Sequence, residues 1–202
     1  MLRARDNPFA VERVLRLRYQ FRNDDWSALL QRLQAMNYRA AIVGPKGSGK
    51  TTLLEDLAER LKARGLRTHR LFLNEQSRAY PTDFVQSVRD SLGEHDVILL
   101  DGSEQLSLSA WWRFRWETRR AGGLIITKHR AGCLPTLIEC RTTRQLFHEL
   151  VHRLHEAATL APDTLDRLFE KHHGNLRDAI RELYDIAARE NLRGTSAITI
   201  DP

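Results

Sequence analysis

Cysteine is nearly absent: the chain of 202 residues has two thiols, Cys133 and Cys140, on either side of an apolar segment and without a CxxC partner. That spacing favours neither a disulfide framework nor a zinc site, so two reduced thiols are expected. Long apolar runs are also lacking. None approaches the roughly 20 residues that cross a bilayer, and the opening MLRARDNPFA has no apolar signal-peptide core. The expected protein is cytoplasmic, with no membrane contact. No internal repeat is visible, which argues against a solenoid or array.

What is present is ordinary globular material. Hydrophobic residues make up 42% and charged residues 29% of the chain, enough to bury a core in one domain with a small appendage. The formal charge of +6 permits an acidic partner such as nucleic acid, but it is an argument about association only. Where the arginines fall matters more than their sum.

Periodicity alternates between helix and strand, the pattern of a parallel sheet covered by helices. NPFAVERVLRLRYQFR and DWSALLQRLQAMN read as helices, the second capped by Asp24 or Asp25. Strands are expected at RAAIVG, RTHRLFLN, DVILLDG, GLIITKH and PTLIEC. Between them fall helices from about Gly49 to Ala63, near PTDFVQSVRDSL and over LSAWWRFRWETRR. From Thr143 onward the pattern is helical, ending in a loose tail. The expected division is an N-terminal helical arm (1–38), an α/β core (39–142), a C-terminal helical segment (143–192) and a flexible tail (193–202).

GPKGSGKTT matches GxxxxGK[ST] and lies between a strand and a helix, where its chemistry requires it. Gly44, Pro45, Lys46, Gly47, Ser48 and Gly49 can aim backbone N–H groups into one concavity that wraps a phosphate, at the positive end of the following helix. Lys50 should reach the terminal phosphates, and Thr52 continues the binding segment. The Thr51 hydroxyl should ligate magnesium together with Asp101, which ends the run VILLD. The expected fold is therefore α/β, a P-loop NTPase parallel sheet flanked by helices, with a small C-terminal helical lid.

The order of P-loop, acidic strand, polar-tipped strand and C-terminal helices resembles the AAA+ class of P-loop ATPases, particularly its small bacterial and initiator-like members. The resemblance implies ATP and Mg2+ as ligands, and adenine specificity is inherited from it. It also implies an adenine-side segment at Asn7–Phe9, a strand-tip sensor at Thr127 in LIITKH, and a nucleotide-contacting lid arginine at Arg177 in GNLRDAIREL. Partners implied are a nucleotide and either self-association or another protein, with nucleic acid left open. An arginine acting on a neighbouring subunit's nucleotide would be Arg119, Arg120 or Arg130.

One position departs from that pattern. AAA+ ATPases usually follow the strand aspartate with a glutamate that polarises the attacking water, and this chain has Gly102 there. Losing such a group costs about 100-fold to 10,000-fold in rate. Glu104 can stand in if the glycine turns it back toward the phosphate; otherwise it is a surface carboxylate. The catalytic set expected is Lys50, Asp101, Glu104 and Thr127. Two other functions stay open: a module that binds ATP without hydrolysing it and so orders a protein or DNA surface, and a phosphotransferase using the arginines of CRTTRQ.

Two further segments carry alternatives. In WWRFRWETRR, Trp112 and Trp116 share one side of a helix beside Arg115 and Arg119. Either the tryptophans dock the helix on the sheet, or ring planes and guanidinium groups form a surface for nucleic acid or a neighbouring subunit. HELVH, His148–His152, satisfies the HExxH zinc pattern, with His155 on the same face. It starts a helix just after a nucleotide-binding core and lacks a third-ligand segment, so a structural histidine face is the expected reading.

Overall fold

Apolar residues of opposite parity build the central strands. Along Arg39–Val43 (β1), Ala40 and Ile42 enter one core while Ala41 and Val43 enter another. Arg67–Phe72 (β2) is less buried, with Arg67, Arg70 and Phe72 exposed. In Asp96–Asp101 (β3), Val97 and Leu99 divide from Ile98 and Leu100 in the same way as β1. Gly123–Lys128 (β4) repeats the division with Ile125 against Leu124 and Ile126. Strands apolar on both faces belong inside a parallel sheet. With Thr136–Glu139 (β5) as the second edge, the five parallel strands run in the order β2-β3-β4-β1-β5. The computed structural model describes residues 7–21, 24–76, 80–155 and 162–192, with side chains described up to 189. The expected tail at 193–202 lies outside them.

The helix expected across NPFAVERVLRLRYQFR is confined to Val11–Val14 (α1). Beyond it the apolar residues alternate, so Tyr19 and Phe21 share one side of an extended segment and pack on the sheet core. Phe21 meets Trp26 edge-on at 5.0 Å. Trp26–Ala35 (α2) starts where Asp25 accepts from the Ala28 amide at 2.8 Å. It covers one face of the sheet with Lys50–Ala63 (α3). Thr82–Arg89 (α4) and Leu108–Glu117 (α5) cover the other. On α5 the docking residues are Trp111 and Phe114, whereas Trp112 and Trp116 face solvent. Trp112 and Trp116 therefore do not anchor the helix.

Two compact units result. One holds Tyr19–Gly44 and Gly49–Cys140; the other groups, of the described residues, those up to Arg18, Pro45–Ser48 and those from Arg141 onward. This grouping divides the segment expected as one N-terminal arm between Arg18 and Tyr19.

In the helical unit, Arg144–Leu154 (α6), Pro162–Lys171 (α7) and Leu176–Leu192 (α8) enclose Phe147, Val151, Leu165, Leu168 and Leu183. Phe9 is buried in this core, a contribution of about 2 kcal/mol. Asn7 fixes it: its carbonyl accepts from the Phe9 amide at 2.9 Å and its amide donates to Tyr184 O at 3.0 Å. Phe9 thus serves as a core aromatic. Of the two histidines of HELVH, His148 pairs with Asp166 at 2.9 Å and His152 is exposed, while His155 beyond them is tilted against Phe9.

Candidate nucleotide site

Parallel register brings three strand ends to one edge of the sheet. Ile42 of β1 lies opposite Thr127 of β4, and Leu100 of β3 opposite Ile126. The polar residues that end these strands therefore meet. Thr51, in the first turn of α3, donates to Asp101 Oδ2 at 2.8 Å. Thr127 Oγ1 donates to Asp101 Oδ1 at 2.5 Å and accepts from the Gly102 amide at 2.8 Å. Ser103 Oγ adds a bond to Thr127 O at 2.8 Å. Asp101 and Thr127 are buried, which makes each bond expensive to leave unmade. Lys50 is buried too, and its ammonium folds back onto Gly44 O at 2.8 Å. Lys50, Thr51, Asp101 and Thr127 are thus brought together within the sheet unit.

Why glycine follows Asp101 is visible here. Gly102 has φ +83°, and a Cβ on it would lie 2.2 Å from Leu73 O. Conformation and space both exclude a side chain. The usual glutamate has no room at this position.

Glu104 sits in the 3-10 turn Ser103–Gln105 that Gly102 starts. Its Oε1 lies 3.2 Å from His129 Nε2, and its buried Oε2 has no hydrogen-bond partner among the described residues. His129 was not anticipated from the sequence; its signal was its place just past the strand tip Thr127. Asn74 Oδ1 accepts from the Gln76 amide at 2.9 Å, a turn-forming bond.

Tyr19 was also missed. Its ring lies 3.5 Å from where a Gly49 Cβ would be, its amide donates to Asp56 Oδ2 at 2.8 Å, and its hydroxyl points at Cys140 Sγ, 3.5 Å away. Burial, then the Cys140 neighbour, raises the Tyr19 hydroxyl pKa, and burial raises that of the Cys140 thiol. These are neutral packing groups behind the start of α3. The alternation of Tyr19 with Phe21 was the available sequence signal.

Within the helical unit, Pro45 and Lys46 are exposed, and the buried Ser48 hydroxyl has no hydrogen-bond partner among the described residues. Asn175 reaches Gly47, where a Cβ would lie 1.8 Å from its Oδ1. Asn175 also caps α8, accepting from the Asp178 amide at 3.3 Å and donating to Asp178 Oδ2. Two residues on, Arg177 is exposed, and no carboxylate pairs with it among the described residues. Thr52 is half-buried in the first turn of α3. Of the candidate arginines, Arg119 stacks on Trp116, Arg120 and Arg130 are exposed, and Arg144 of CRTTRQ pairs with Glu170.

A GxxxxGK[ST] segment between a buried strand and a helix, with its Thr51 bonded to an aspartate that also meets a threonine on the neighbouring strand, defines a P-loop NTPase. The sequence profile of the AAA domain family matches residues 37–201. The chain belongs to that family, of the AAA+ type of P-loop ATPases. No curated protein sequence matches significantly. Among solved structures, the RuvB Holliday junction branch migration motor of Thermotoga maritima shares the fold with TM-score 0.59 and 18% identity over 92% of this chain and 69% of that one. A point variant of the same RuvB gives TM-score 0.60 and 18% identity over 86% of this chain. This chain spans 64% of that variant's length. At such identity the likeness is one of fold.

Proposed function

We propose that the chain binds ATP at Gly44–Thr52 and hydrolyses it, the bound and released states acting as a conformational switch. The observation that carries this reading is the convergence of Thr51 and Thr127 on the two oxygens of Asp101. A merely structural aspartate could be satisfied more simply, whereas this one is held beside the threonine of a phosphate loop. The orphaned Ser48 hydroxyl and the cramped Gly47 also suit a loop shaped around a ligand.

The Thr51 hydroxyl and the Asp101 carboxylate are hard oxygen donors that fit magnesium, which when bound would neutralise phosphate charge. Lys50 would exchange Gly44 O for the terminal phosphates, and Arg177 would offer them a second cation. Thr127 holds Asp101 in place. Glu104 is the general base: its unpartnered Oε2 takes a proton from water as the water oxygen bonds to the γ-phosphorus and the bridging P–O bond breaks to ADP. His129 orients that carboxylate.

A second reading, binding without turnover, is favoured by Gly102, where no glutamate can stand. ATP binding and steady-state phosphate release by the wild type, Lys50→Ala and Glu104→Gln separate the two. Turnover lost about 100-fold in Glu104→Gln with ATP binding kept supports hydrolysis. Wild-type binding without phosphate release supports the second reading, and no ATP binding at all defeats both. Among the described residues no helix is long and apolar enough to cross a membrane. We place the protein in the cytoplasm, with self-association or a protein partner.

A further inference from the structure

The outer face of α5 is solvent-facing where a helix on a sheet would ordinarily be polar. Leu108, Trp112 and Trp116, at successive i, i+4 positions, are 71%, 59% and 61% exposed. The inner face is already complete: Trp111, Phe114 and Thr118 are buried, with Thr118 Oγ1 donating to Phe114 O at 2.7 Å. The outer rings lie outside the core cluster that Trp111 and Phe114 join. Contiguous exposed apolar surface of this kind marks an interaction site.

Its charge points in one direction. Residues 108–121 hold four arginines, Arg113, Arg115, Arg119 and Arg120, and a single carboxylate, Glu117. Glu117 is occupied, accepting from Arg113 at 3.2 Å and from the Tyr80 hydroxyl. Among the described residues no carboxylate pairs with Arg115 or Arg119. Instead the Arg115 guanidinium lies 5.2 Å from the Trp112 ring centroid and that of Arg119 lies 4.4 Å from Trp116. Nearby, Arg39 donates to Ala121 O at 2.6 Å. Burial, and then the Arg115 charge, lowers the Arg39 pKa.

We propose that this face of α5 binds single-stranded nucleic acid, with bases stacking on Trp112 and Trp116 and phosphates meeting Arg115 and Arg119. The two rings are offset by about 6 Å along the helix, room for separate bases. Tryptophan and arginine also occur together in protein interfaces, but here four arginines face a single, already occupied carboxylate, and that excess of positive charge fits a polyanion. Ring and cation in alternation suit a polyanion whose units carry π-faces. A duplex keeps those faces stacked away, which selects the single strand. The inference is independent of the hydrolysis reading.

The test is a fluorescence titration of the full chain with an oligothymidylate of about 16 nucleotides and with a duplex of equal length, with and without ATP and magnesium. The expected result is quenching of tryptophan emission and preference for the single strand. Trp112→Ala and Trp116→Ala should each weaken binding about 10-fold, with melting temperature and ATP affinity unchanged. Arg115→Gln with Arg119→Gln should lower the slope of log affinity against log salt by about 1.4. No binding by the wild type, or equal binding by the tryptophan variants, overturns the proposal. So does a fall in assembly size, read by light scattering, in variants that bind the oligonucleotide normally, because the face then meets protein.

Discussion

The tip of β3 and the outer face of α5 are close in sequence and opposite in how they treat polar groups. At the tip, both Asp101 oxygens, the Thr127 hydroxyl and the Gly102 amide are bound to one another, and a backbone carbonyl leaves no space for a further side chain. On α5 Trp112, Trp116 and Arg119 are exposed and Arg115 is half-buried. A closed cluster fixes geometry before any ligand arrives, because burial penalises every alternative arrangement. An open face fixes little and is suited to recruiting something from outside.

The contrast breaks most severely at Gly102. Gly102→Glu should destabilise by about 4 kcal/mol, combining a left-handed backbone cost with a clash against Leu73 O. The urea midpoint measures it, and Gly102→Ala should be nearly as damaging if backbone geometry, not the carboxylate, is responsible. Calorimetry of adjacent tryptophans sharpens the other side: Trp111→Ala should cost about 3 kcal/mol, while Trp112→Ala stays within about 0.5 kcal/mol of the wild type. Thr127→Val should cost about 2 kcal/mol, since it orphans the Gly102 amide and one Asp101 oxygen. Faster hydrogen exchange at the Gly102 amide would locate that loss.

The smallest effect lies at the opposite end of β3. Burial raises the Asp96 carboxyl pKa, but hydrogen bonds from His69, Arg67 and the Gly93 amide outweigh it and hold the group below its ordinary value. A depressed folded pKa stabilises above the unfolded value, so this contribution is lost as pH falls below about 4. Asp96→Asn should flatten the pH dependence of the urea midpoint in that acid range. An unchanged profile would show that other carboxylates govern it.

Much of the site was legible because its residues are contiguous or end apolar runs. GPKGSGKTT announces its loop by spacing alone, and Asp101 and Thr127 each close a buried strand. His129, Tyr19 and Asn175 were not read as site neighbours, since each meets its partner through pairing or packing with residues distant in sequence. The helix over the opening segment failed at Leu15, where alternation of apolar residues replaces helical spacing.

Local spacing was therefore enough for the class of fold, the phosphate loop and the parity of the strands, because these depend on neighbours within a few residues. Helix phase was not. WWRFRW offers aromatic residues to every side of a helix, and only packing on β3 and β4 decided that Trp111 turns inward and Trp112 outward. The absence of glutamate after Asp101 could be read from the chain, but its cause, the Leu73 carbonyl of a neighbouring segment, exists only once parallel strands have brought the two together.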